Sequence, residues 1–113
     1  MLKPLSHYRG LLPEGNNFSL FSMEEHPITL NKGVQRIVRS GLEASLVKGY
    51  GAHVFSPPAL MHMHGVSITP FVLTEESYGE VKVIMQNVGD RPFIVHPGDR
   101  IANVVIVRLG GEK

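Results

Sequence analysis

The sequence predicts an all-β fold, a sandwich or barrel of short strands, and two observations carry that prediction. Twelve glycines and eight prolines are scattered along 113 residues. The runs between them are short and rich in Val, Ile and Phe, the pattern of strands separated by turns. In one run Val81, Val83 and Met85 alternate with Lys82, Ile84 and Gln86, the two-residue period of a strand with one face in a core.

Taken in order, strands are expected at 17–21 (NFSLF), 26–30 (HPITL), 34–46 (VQRIVRSGLEASL), 50–55 (YGAHVF), 65–73 (GVSITPFVL), 79–87 (GEVKVIMQN), 91–97 (RPFIVHP) and 100–109 (RIANVVIVRL). VGDR and HPGD are turn signals. Only SPPALMHMH (56–64) suits a helical turn, with the Pro57-Pro58 pair at its start. No internal repeat is visible. Residues 1–113 read as one domain, with 1–14 an N-terminal extension and 109–113 a frayed tail.

Eleven basic side chains against ten acidic leave a formal charge of +1. The basic residues never cluster beyond two, which argues against a nucleic-acid partner. Apolar runs as short as VVIV do not span a membrane. The start, MLKPLSHYRG, is broken by Pro4 and too polar for a secretory signal, so an intracellular location, cytoplasm or nucleus, is expected rather than secretion. There is no cysteine, hence no disulfide, thiolate metal site or Cys nucleophile.

The histidines invite a metal reading. On a strand, His62 and His64 would face one side and both reach one ion, with Glu75, Glu76 or His96 as third ligand. A cupin-like metal protein has this loose ligand set. Its Glu follows the pair by about four residues, whereas positions 67 and 68 here are Ser and Ile, and the first acid, Glu75, comes eleven residues after His64. The plainer expectation is no bound metal. Asp90 and Asp99 both sit in turn signals, where a carboxylate bonds its own backbone. Glu75 and Glu76, ahead of Tyr78-Gly79, suit either a general base or a solvated hairpin tip. Ser56 lacks a nucleophile-elbow context, and no phosphate-binding Gly-Lys-Ser loop is present.

GEVKVIMQNVGDRPFIVHPGDRIANVVIV (79–107) resembles the C-terminal half of the trimeric deoxyuridine triphosphatases (dUTPases). The match is in register at Asn87, Gly89, Asp90, Pro92, Phe93, Pro97, Gly98, Asp99, Arg100, Ile101 and Ala102. Upstream, residues 28–54 resemble the same family, so the likeness covers about 15–108. It implies a jelly-roll or β-barrel of short strands and a homotrimer with sites between subunits. It also accounts for His62 and His64, which fall on histidines of the second motif that hold no metal.

The same resemblance implies missing chemistry. Pro57 and Pro58 stand where the family has an Arg-Ser pair that contacts phosphate, and neither offers a donor. Ser19 stands for the first motif's Asp. The third motif's water-activating Asp and its Tyr under the deoxyribose fall on Thr74 and Ser77, or with a one-residue gap on Glu75 and Tyr78. Thr69 is the best counterpart of the uracil-reading Asn, and Asn103 replaces a Gln. The Gly-rich fifth motif has no counterpart before Lys113 and is expected to be missing. These losses lead to the expectation of a pseudoenzyme: a dUTPase-fold protein that no longer hydrolyses dUTP and serves as an oligomeric interaction or structural module, with an unidentified protein partner and a viral context. The alternative is a divergent dUTP pyrophosphatase in nucleotide metabolism, with Glu75 as base. No cofactor is expected, other than Mg²⁺ if the protein is active.

Overall fold

A computed structural model describes residues 2–6, 8 and 13–109. Along them run β1 (Leu2–Pro4), β2 (Asn17–Phe21), β3 (Ile28–Leu30), β4 (Gln35–Ala44), β5 (Tyr50–Phe55), α1 (Pro58–His64), β6 (Val66–Ile68), β7 (Phe71–Leu73), β8 (Glu80–Asn87), β9 (Phe93–Val95) and β10 (Arg100–Arg108). One four-stranded sheet has the order β1-β4-β8-β6, a second β2-β10-β5-β7, and β3 pairs with β9. All described pairings are antiparallel. This is the all-β, jelly-roll-like class that the sequence predicts.

The two larger sheets share one core. The first turns Val38, Val83 and Met85 inward and the second Leu20, Val54 and Val104, all fully buried in a single cluster. The alternation in β8 reads as expected: Val81, Val83 and Met85 are buried while Lys82 and Ile84 are exposed. Burying such side chains is worth about 1.5–3 kcal/mol each, so this face sets the register of β8.

Two stretches differ from their sequence expectation. Residues 65–73 form two strands in different sheets: β6 pairs with β8 and β7 with β5. Pro70 lies between them and offers no N–H to a ladder, so the chain leaves one sheet and enters the other there. At the N-terminus, Leu2–Pro4 pair with Leu42–Ala44 of β4, and Leu2 is buried. At the other end the Leu109 N–H donates to the Gly49 carbonyl at 2.8 Å; residues 110–113 of the expected tail lie outside the described residues.

Asn87 ends β8 and is fully buried. Its Nδ2 donates to the Leu30 carbonyl at 2.8 Å and the Arg91 carbonyl at 2.7 Å, and its Oδ1 accepts the Gly89 N–H at 2.9 Å. Its backbone N–H donates to Val34 O and its carbonyl accepts the Gly33 N–H. The Gly89 segment thereby lies against the C-terminal end of α1. Val88 N–H donates to Gly65 O at 2.8 Å, and a Cβ on Gly65 would sit 2.7 Å from the Gly89 Cα. Gly65 also caps α1 at φ 69°, the left-handed conformation that favours glycine.

Two outcomes follow. Asn87→Ala removes three hydrogen bonds made by a buried side chain and should lower unfolding free energy by about 3 kcal/mol in urea denaturation; a loss below about 1 kcal/mol would show the network to be dispensable. Gly65→Ala meets both backbone strain and the Gly89 main chain, and should cost about 3 kcal/mol. Gly33→Ala, at φ 78° with open space around the added methyl, should cost only about 1 kcal/mol. Equal midpoints for the two alanine variants would refute the close-approach account.

Candidate functional site

Three of the motif positions meet at one end of the second sheet. Asn103 of β10 is paired with Ser19 of β2 on one side and Phe55 of β5 on the other. The Ser19 hydroxyl donates to Asn103 Oδ1 at 3.2 Å. Both residues belong to the outer face, since Leu20 and Val104 beside them point into the core. The row runs from Phe55 directly into Ser56, Pro57 and Pro58. Pro57 is the extended residue before α1, with φ −63° and ψ 126°, and Pro58 opens the helix, where a missing N–H costs no helical bond. Ser56 Oγ accepts the Ile68 N–H at 3.3 Å and ties this corner to β6. Thr69, exposed, follows β6 and donates its N–H to Ile84 O.

The third-motif positions occupy the turn between β7 and β8. Ser77 Oγ accepts the Thr74 N–H at 3.0 Å, Thr74 Oγ1 accepts the Glu76 N–H at 3.3 Å, and the Ser77 N–H donates to Thr74 O at 3.0 Å. The hydroxyls of Thr74 and Ser77 therefore hold the turn. Glu75 and Tyr78 point outward: Glu75 is exposed, Tyr78 is 92% exposed, and neither has a hydrogen-bond or ionic partner among the described residues.

The root of this turn is anchored by a pair that motif reasoning overlooked. Glu80 accepts from Arg39 Nε at 3.1 and 3.2 Å and from the Gly41 N–H at 2.9 Å. Its side chain is only 13% exposed. The hydrogen bond and charge of Glu80 push the Arg39 pKa up, against a smaller opposing effect of burial. A raised cation loses its stabilising contribution only as pH climbs through its folded-state value, beyond the working range, so Arg39 stays charged in this pair. The sequence shows the pair only as an Arg in one expected strand (34–46) and a Glu in another (79–87), with no local signal that the two strands are neighbours.

The turn and the Ser19–Asn103 row lie apart within one chain. β7 runs antiparallel to β5 with Val54↔Phe71 and Ala52↔Leu73, so the chain moves away from Phe55 as it approaches Thr74. Extending the register aligns Thr74 with Gly51 and Val107, four residues from Asn103 along β10. That is roughly 13 Å along the strands and two strand spacings across.

The strand-borne histidine pair is a correction. His62 and His64 are in the last turn of α1, and residues two apart on a helix point about 200° from one another. His64 packs on Phe93, ring centroids 4.8 Å apart, and His53 on Phe55 at 5.7 Å. No group of three His, Asp or Glu suited to a metal occurs among the described residues. Asp99 Oδ2 accepts the His96 N–H at 2.8 Å, a turn role, and exposed Asp90 lies 3.7 Å from Lys32.

The dUTPase family model matches residues 17–112. The deoxyuridine 5′-triphosphate nucleotidohydrolase of Rickettsia massiliae is 29% identical over 95% of this chain and 77% of its own length. That of Maricaulis maris is 32% identical over 93% and 76%. Among solved structures, the dUTPase of Staphylococcus bacteriophage 80alpha superposes with a TM-score of 0.84 at 16% identity, over 100% of this chain and 92% of that one. EIAV dUTPase does so with 0.78 at 18%, over the same shares. At such identity these structures speak for the fold alone.

These findings overturn the expectation of a pseudoenzyme acting as an interaction or structural module. Relatives spanning nearly the whole chain carry the name of a hydrolase, and that name fits the alternative reading. The viral context likewise gains no support, because these sequence relatives are bacterial. The fold gathers Ser19, Asn103 and the Phe55–Pro58 corner in one row and presents Thr74–Tyr78 on a separate, anchored turn. With the family model covering residues 17–112, the chain belongs to the dUTPase family.

Proposed function

We propose that the protein hydrolyses dUTP to dUMP and pyrophosphate, with Glu75 as the general base, in a homotrimer. The observation that carries this reading is the family match over residues 17–112, together with relatives named as dUTP hydrolases. The turn geometry supports the register that assigns the base to Glu75 and the sugar-packing ring to Tyr78. Thr74 and Ser77 are occupied with the turn, whereas Glu75 and Tyr78 face outward. A carboxylate that accepts a proton from the attacking water needs that freedom. Ser19 and Asn103 then meet the nucleotide from the other side.

The separation of these two groups supports assembly. Glu75 of one subunit and Asn103 of another can then face a single substrate. The outer face of the second sheet is suited to burial between copies: Val72 and Val107 are exposed on it, with Val105 half-buried beside them. Such apolar faces are what oligomer interfaces cover. Mg²⁺ is taken as part of the substrate, carried on phosphate oxygens. A hard cation held by phosphates and water requires no dedicated protein cage, which accords with the absence of a three-ligand cluster among the described residues. A nucleotide substrate fits an intracellular location, and no helix among the described residues is long and apolar enough to cross a membrane.

Pyrophosphate release from dUTP with Mg²⁺ should proceed at about one turnover per second or faster, and Glu75→Gln should lower it by about a hundredfold or more. A neutral Glu75→Gln variant would remove Glu75 from the mechanism, and no turnover in the wild type would reject the hydrolase reading. Light scattering should give three times the 12.5 kDa chain mass; a monomer at all concentrations would refute the trimer. Re-assembling equal amounts of Glu75→Gln and Asn103→Ala chains should restore about a quarter of the wild-type rate, because that fraction of shared sites receives both intact residues. No recovery would place both residues in a site built from one chain.

A further inference from the structure

We infer that Glu80 is a positioning residue: it sets where the 74–79 turn leaves the first sheet, and so places Glu75 against the substrate. This role rests on the hydrolase reading, with Glu75 as base. It arises at an irregularity between β4 and β8. Arg39 is paired with Lys82, and the next pair is Glu43 with Glu80. β4 advances four residues there while β8 advances two, so β4 bulges between Arg39 and Glu43.

A bulge interrupts the backbone ladder, and here side chains close the gap. Ser40 Oγ donates to the Val81 carbonyl at 2.6 Å and accepts the Leu42 N–H at 3.2 Å. Glu80 accepts the Gly41 N–H at 2.9 Å and Arg39 Nε at 3.1 and 3.2 Å. The residues that Glu80 grips are themselves held from the other side. The Leu5 N–H donates to Gly41 O at 2.8 Å and the Met23 N–H to Arg39 O at 2.9 Å. The Arg39 N–H donates to Glu24 Oε2 at 2.9 Å. Gly41 has φ 74°, and a Cβ there would run into Met23, so the bulge suits glycine alone. Glu80 thus ties the first residue of β8 to main chain that is bonded on both sides. The turn begins at the next residue: Gly79 O accepts the Ala44 N–H at 3.0 Å, and Glu75 lies four residues further out. The other leg, β7, is an edge strand of the second sheet. The β8 leg is therefore what refers Glu75 to the first sheet. A base needs this, since a displacement of about 1 Å can cost on the order of a hundredfold in rate.

The test combines steady-state kinetics with dUTP and Mg²⁺, binding of a non-hydrolysable imido analogue of dUTP, and co-assembly of variant chains. Glu80→Ala should lower kcat about thirtyfold, while the analogue binds within about threefold of wild type because the Ser19–Asn103 row is untouched. Glu80→Gln keeps an oxygen for Gly41 and Arg39 and should lower kcat only about fivefold; it carries the test if Glu80→Ala does not assemble. Amide exchange in the variants should quicken at Ala44, which bonds Gly79, and not at Val83 in the core of β8. The defect should also travel with the subunit that supplies the turn. Equal amounts of Glu80→Ala (or Glu80→Gln) and Asn103→Ala chains should regain about a quarter of the wild-type sites, whereas the same variant mixed with Glu75→Gln should regain none. A general loss of stability would not follow that pattern. Unchanged kcat in Glu80→Gln, or failure to complement Asn103→Ala where Glu75→Gln does complement it, would overturn this inference alone. A wild type without dUTP turnover would overturn the hydrolase reading and this inference with it.

Discussion

The amide of Asn87 is the constraint on which much of the fold depends. It lies at the end of β8, fully buried, with both donors and its acceptor committed to main chain on either side. A buried polar group of this kind is stable only when all its bonds are made together. Its satisfaction therefore fixes the β3 strand through Leu30 and the path of residues 88–91, while the Asn87 backbone carbonyl holds the turn at Gly33. Two glycine backbones then lie in contact, Gly65 at the end of α1 and Gly89 in the loop. The orientation of α1, and with it the corner at Pro57, follows from that contact.

The sheets built on this framework divide the chemistry. The second sheet brings Ser19, Asn103 and the β5–α1 corner together because antiparallel pairing places them side by side. The same pairing sends β7 the other way, so its turn emerges at the far end. Arg39 and Glu80 clamp the root of that turn while Glu75 and Tyr78 stay outside any described contact. An exposed aromatic and carboxylate on a well-anchored turn are poor material for a lone fold. Their exposure accords with the proposal of a site completed by a neighbouring copy.

The departures from the family motifs look different in this setting. Pro57 and Pro58 remove donors from the corner, yet Pro58 is well placed as the first residue of a helix. Ser19 and Asn103 bond to one another across the strands. Position by position these substitutions resembled decay. As a hydrogen-bonded pair Ser19 and Asn103 hold one another in register on the outer face of the second sheet.

By itself the sequence determined the strand-rich class, the helical turn after the proline pair, the inward face of β8 and the family. Each rests on local information: two-residue periodicity, Gly and Pro punctuation, or a motif dense enough to hold its register. Only the tertiary structure decided that residues 65–73 serve two sheets, since nothing before and after Pro70 names the partner strand. It decided between the strand and the helical-turn readings of His62 and His64 by placing both in α1, where their spacing no longer aims them at one ion. It alone joined Ser19 to Asn103 and Arg39 to Glu80, pairs 84 and 41 residues apart in the chain. Contacts at such separation depend on which strands become neighbours, and that is set by burial of the whole core rather than by any short stretch of residues.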